Sequence, residues 1–127
     1  MHTYDYAIVR VVPRVERGEF VNAGIIVSCD VERYLRAAID LDEDALLALD
    51  ARADLNIIRL TLTAVAKICA GGTQAGDIGR MTARERFHWL VAPRSTMVQT
   101  SPVHTGRCRD LGAALDHLMS TMVRRRG

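Results

Sequence analysis

Aromatic residues are scarce, lysine is almost missing and the cysteines do not pair; each scarcity narrows what the chain can do. Phe, Trp and Tyr make up 5% of the 127 residues, too few for a platform on which nucleic-acid bases stack. The core must therefore be aliphatic. Cys29, Cys69 and Cys108 are an odd set without CxxC spacing, which predicts reduced thiols and not a disulfide framework. No stretch approaches the roughly 18 apolar residues of a membrane span, and MHTYDYAIVR lacks the basic start and cleavage site of a signal peptide. A soluble cytoplasmic protein is expected. Phosphate loops of the GxGxxG and GxxxxGK types are missing, as is the GxSxG of serine hydrolases. The nearest approach to a metal-ligand pair is His104 with Cys108, and without further close ligands that spacing does not make a zinc site. Neither a cofactor nor a metal is expected.

What the chain does contain is an ordinary globular mixture, 49% apolar and 25% charged, with a formal net charge of +2. At this length one domain spanning residues 1–127 is predicted. Lys67 is the only lysine, so nearly every cation is an arginine whose planar fork suits carboxylate or phosphate. The arginines are spread from Arg10 to Arg126 without a long run, a weak footprint for nucleic acid.

Tyr4–Arg14 is rich in β-branched and aromatic residues and predicts the first strand. Alternation turns Ala7, Val9 and Val11 toward the core and leaves Tyr6, Ile8, Arg10 and Val12 on a less buried face. Arg10 is expected to pair there with Glu19 or Asp5, because a buried guanidinium without a partner is costly. Gly24–Cys29 and Arg33–Ile39 predict two more strands, joined by a tight turn at Asp30-Val31-Glu32 and completing an antiparallel meander.

Helices follow. Asp42 or Asp44 caps a short one that runs to Leu49, and Asp54 caps a longer one. In the longer helix Leu55, Ile58, Leu62, Val65 and Cys69 form a stripe that Ile57, Leu60, Ala64 and Ile68 widen, which predicts a central helix covered on most sides. Gly71-Gly72 stops it, and TQAGDIG continues as a flexible connection. Thr82 and Glu85 fit a capping box for a short helix with Ala83, Phe87, Leu90 and Val91 on one face, although FHWLVA also has strand propensity. Asp110 caps an amphipathic last helix carrying Leu111, Leu115, Leu118 and Met122, and Arg124, Arg125 and Arg126 complement its dipole. The predicted class is α+β, a small antiparallel sheet of three to four strands with an N-terminal meander, packed against about four helices.

The chemistry-bearing residues collect around two places. Arg14, Glu19 and Asn22 follow the first strand; Arg94, Ser95, Thr96, Gln99, Ser101, His104 and Thr105 lie in the polar half of HWLVAPRSTMVQTSPVHTG. Guanidinium and hydroxyl donors match the oxygens of an anion, and His104 is the candidate general acid or base. Turn chemistry explains the same hydroxyls without a ligand and is the preferred account.

YAIVRVVPRVERGEFVNAGIIV near the start and RFHWLVAPRSTMVQTSPVHTG near the end resemble the two signature blocks of the bacterial family called domain of unknown function 3037, DUF3037. In order and spacing the resemblance extends over nearly the whole chain. It implies a small bacterial cytoplasmic protein and transfers no catalytic residue. It also implies a place beside HipA-like kinases, as an accessory or antitoxin-like partner.

Three functions are ranked. First comes a non-enzymatic binding or regulatory module docking on a protein partner through an exposed sheet face or the terminal helix. Second is an anion-handling enzyme for phosphate or carboxylate, with Arg94 and Arg14 as clamp and His104 as proton carrier. A nucleic-acid binder is last.

Overall fold

Val21–Cys29 is apolar at almost every position, the pattern of a strand covered on both faces. The computed structural model, which describes residues 1–94 and 96–124, places this strand, β2, inside a five-stranded antiparallel sheet. Beside it lie β1 (His2–Val11) and β3 (Tyr34–Ile39), so the predicted meander forms in the order β3-β2-β1. Ala23 is an extra residue in β2, because Val9 faces Gly24 while Arg10 faces Asn22.

The sheet exceeds the expected size because the free side of β1 recruits two late segments. β4 (Val98–Thr100) pairs with Val9–Val11, and β5 (His104–Cys108) pairs with His2–Tyr6. Buried Ser101 joins them: its amide donates to the Ile8 carbonyl and its hydroxyl accepts from the Ile8 amide, each at 2.8 Å. Glycine leaves room within β5 for Tyr4, since a Cβ on Gly106 would lie 2.6 Å from the Tyr4 hydroxyl and push the ring aside.

Four α-helices start at the predicted caps. In α1 (Glu43–Leu49), α2 (Leu55–Ala70) and α4 (Leu111–Leu118), the carboxylates of Asp42, Asp54 and Asp110 accept a bond from the third amide of the helix. For α3 (Ala83–Val91) both bonds of the capping box form, at 2.9 and 3.2 Å, which decides the segment for helix over strand. After Gly71 and Gly72 the chain winds through tight helical turns, Thr73–Arg80, where a flexible connection was expected. Arg86 anchors this region by donating to the carbonyls of Ile68, Cys69 and Met81, a cation on the C-terminal end of α2.

The helices cover both faces of the sheet. On one face α1, α2 and α3 enclose Val9, Val11, Ile26, Ile58, Leu62 and Phe87. On the other, α4 and the wide turn Met119–Val123 cover Tyr4, Ile25 and Val27 with Leu111, Leu115 and Met119. The face predicted to be less buried is thus a second core over most of its length. α2 departs from expectation in the opposite sense: Ile57 is 50% exposed and Leu60 71%, so only one flank is covered. Arg124 pairs with Asp40 at 2.9 Å instead of completing the helix dipole, and Arg125 and Arg126 lie outside the described residues. No single helix among the described residues is long and apolar enough to cross a membrane.

Candidate binding site

The strand register fixes where the polar candidates go. Residues directly opposite in an antiparallel pair share a face, so Asn22, Arg10 and Gln99 form one row across β2, β1 and β4, on the face that α4 covers. Asn22 Nδ2 donates to the Met122 carbonyl at 3.0 Å, and Gln99 Nε2 to the Thr96 carbonyl at 2.8 Å. Arg10 pairs with neither acid expected for it. Its guanidinium lies 4.2 Å from the centre of the Phe20 ring, and its Nε is buried without a hydrogen-bond partner among the described residues. The predicted partners are engaged elsewhere, Glu19 by Arg17 at 2.6 Å and Asp5 by Arg84 at 2.7 Å.

Arg14, Arg94 and His104 are not brought together. Arg14 sits in the exposed turn after β1, bonded to Glu16 at 3.2 Å. His104 pairs with Tyr6, its ring 5.3 Å from the tyrosine ring, and from Tyr6 to the end of β1 at Val11 is about 17 Å of strand. Arg94 lies against the α2–α3 layer, on the opposite side of the sheet from His104 and Tyr6. Thr96 bonds locally to the Val98 carbonyl at 2.8 Å, and Ser95 lies outside the described residues.

Arg94 and Thr96 instead meet a groove. Its walls are Ile57, Thr61 and Ala64 of α2, Trp89 of α3, and Met97 before β4, around a cavity of about 370 Å³. The Arg94 guanidinium stacks 4.0 Å from the Trp89 ring centre while donating to the Trp89 carbonyl at 2.5 Å. Trp89 stays 39% exposed, and Leu60, one turn beyond Ile57, extends the apolar rim. An aromatic ring with a stacked guanidinium beside exposed aliphatic side chains is the composition of a protein-binding hot spot. The widened stripe of α2 was the sequence signal for this surface: it held more apolar residues than one buried face uses.

A polar network behind α3 escaped the sequence reading. Asp5, Ser28 and Thr105 are register neighbours on β1, β2 and β5. Arg84 reaches down to donate to Asp5 at 2.7 Å and Ser28 at 3.1 Å, and the Thr105 hydroxyl donates to Asp5 at 2.8 Å. Burial pushes the Asp5 carboxyl up, but the bonds from Arg84 and Thr105 outweigh it and hold the group below the usual carboxylate range. A lone acid in the apolar run YDYAIV, and an arginine three residues before Phe87, were its signals. Because the folded state lowers this pKa, its stabilisation is present above the unfolded value of about 3.9 and is lost as pH falls through the lower folded value. Asp5→Asn is expected to cost about 1–2 kcal/mol at neutral pH and to reduce the loss of stability on acidification below about pH 4. Urea unfolding at several pH values measures both; an unchanged acid limb would refute the assignment.

Cys69 is an unreactive thiol, its pKa pushed up to about 12 by burial against the weaker opposing field of Arg86. Among the described residues no three His, Cys, Asp or Glu side chains gather to hold a metal.

The two sequence blocks meet in space, since the second half of β1 and most of β2 come from one, and the end of α3, β4 and the start of β5 from the other. A family model described as "Protein of unknown function (DUF3037)" matches residues 6–123. The chain belongs to the DUF3037 family. No curated protein and no solved structure matches it. In this DUF3037 chain the matched span includes β2 to β5, the part of β1 from Tyr6 onward and both grooved flanks of α2.

Proposed function

We propose that this DUF3037 protein is a non-enzymatic binding module of the bacterial cytoplasm that docks on a protein partner through the α2–α3 groove. The observation that carries the reading is the Trp89–Arg94 stack beside exposed Ile57 and Leu60. An apolar helix of the partner, presenting residues at helical spacing, fits such a groove. A HipA-like kinase is the first partner to test.

Calorimetric titration with the purified kinase makes the test concrete. Trp89→Ala is expected to weaken binding about 30-fold or more, the scale of a hot-spot residue, and Arg94→Ala to weaken it in the same direction. Both variants should keep the parent Tm within a few degrees, because neither side chain lies in a core. Equal affinity of parent and Trp89→Ala would place the interface elsewhere. Loss of folding in either variant would show the stack to be structural.

A further inference from the structure

β3 ends the sheet on the side away from β4 and β5. In an antiparallel ladder alternate residues bond to the neighbouring strand. The Asp40 amide donates to the Ala23 carbonyl at 2.8 Å, so the even-numbered residues bond to β2, and Leu35, Ala37 and Ile39 turn their amides and carbonyls outward. Unpaired backbone on an outer strand is a template for another strand.

α2 runs alongside this edge. Between them are two adjoining clefts, about 550 and 390 Å³, that share Ala66. The wall of α2 is low there because Thr63, Ala66 and Ala70 are small, while Leu62 and Cys69 are buried at its foot. An extended chain can therefore lie against β3 with alternate side chains turned toward α2.

Charge around the clefts is mainly positive, with Arg33, Arg36 and Arg86 against Glu32 in the larger one. Arg59 is neutralised by Glu43 at 2.5 Å, and Glu32 lies 3.6 Å from His2. Arg33 and Arg36 have no carboxylate partner among the described residues, and Arg86 directs its donors to backbone carbonyls. Arg36 is exposed and belongs to the face of β3 turned away from α2.

We propose that β3 and α2 form a strand-addition groove that takes an extended acidic segment of a partner protein. Apolar residues of that segment face Leu62 and Ala66, and the alternating acidic residues face Arg36. A second copy of this chain is a poorer occupant, since two-fold pairing of β3 with itself sets Arg36 opposite its own symmetry mate or, centred on Ala37, diagonal to it, and supplies no acid for it. The groove uses Leu62, Thr63 and Ala66, on the flank of α2 opposite Ile57, Thr61 and Ala64. It therefore stands apart from the docking reading above, and Trp89→Ala leaves it unchanged.

The test uses an end-capped eight-residue peptide alternating valine and glutamate, titrated into the full chain and followed through backbone amide signals. The amides of Leu35, Ala37 and Ile39 are expected to shift and gain exchange protection, with affinity falling as salt rises. Ala37→Pro removes an N–H that the sheet does not use and should weaken binding about tenfold or more. Ala66→Leu, a good helix residue that fills the cleft, should do the same, and it carries the test if the proline variant fails to fold. Three results overturn the proposal: no shift at those amides, equal binding of the matching valine–lysine peptide, or protection that grows with protein concentration alone. The last would assign the edge to a second copy.

Discussion

Phe87→Ala is expected to remove about 3–5 kcal/mol of stability, a large part of the roughly 5–15 kcal/mol that holds a domain of this size. Phe87 is 1% exposed and lies where α3 meets α2 and the sheet, so the deleted ring leaves a cavity that rigid strands on one side cannot close. Urea unfolding, read by the fluorescence of the single Trp89, should show a lower midpoint with an unchanged slope. The same substitution loosens the seat of Arg84, whose guanidinium lies 5.2 Å from the centre of the Phe87 ring. Arg84→Ala should therefore cost less in the Phe87→Ala background than in the parent. A loss below about 1 kcal/mol for Phe87→Ala would mean that α3 is not packed as described.

Ile25→Ala is expected to cost about 2–5 kcal/mol, although it lies on the other face of the sheet. Ile25 is fully buried among Val27, Leu115, Leu118 and Met119, and the C-terminal helix is what buries it. A two-layer protein would leave this face in water, and the substitution would then fall within about 0.5 kcal/mol of neutral. Measured beside Phe87→Ala, it separates the two architectures directly. It also asks whether the two cores melt together, since a β2 shared by both should give one transition on heating.

Local rules made much of this fold legible. Asp42, Asp54, Asp110 and the Thr82–Glu85 pair mark helix starts because each satisfies amides that the helix itself leaves open. The meander was legible from three runs of strand-forming residues and a short turn. What escaped were pairings between distant segments. HTGRC has a central glycine and an arginine and does not read as a strand by propensity; the free edge of β1 makes it one. The second covered face escaped because a single strand pattern cannot say which helix will lie on it.

The polar constellation shows the same limit. Asn22 and Gln99 do become neighbours, but around Arg10 and not around His104, because register sets the row and a spacing of letters does not. Arg94 was singled out as a donor to an anion, and its geometry presents it as the flat cover of Trp89. The breadth of the apolar stripe on α2 was visible from the start. Its meaning was not, since a helix buried all round and a helix with one docking flank have the same composition.

The pairing of β1 with the late strands β4 and β5 also sets an order of events during synthesis. β1, β2 and β3 follow one another directly and can zip together as neighbours, but His2 finds Cys108 only after α1, α2, α3 and β4 have also been made. Contacts that join distant parts of a chain form slowly. For that interval the nascent sheet has two bare edges, and the apolar surface destined for α4 is uncovered. A ribosome stalled before Val98 would thus hold a half-built sheet that is sticky on both sides, a substrate for chaperones and a seed for aggregation.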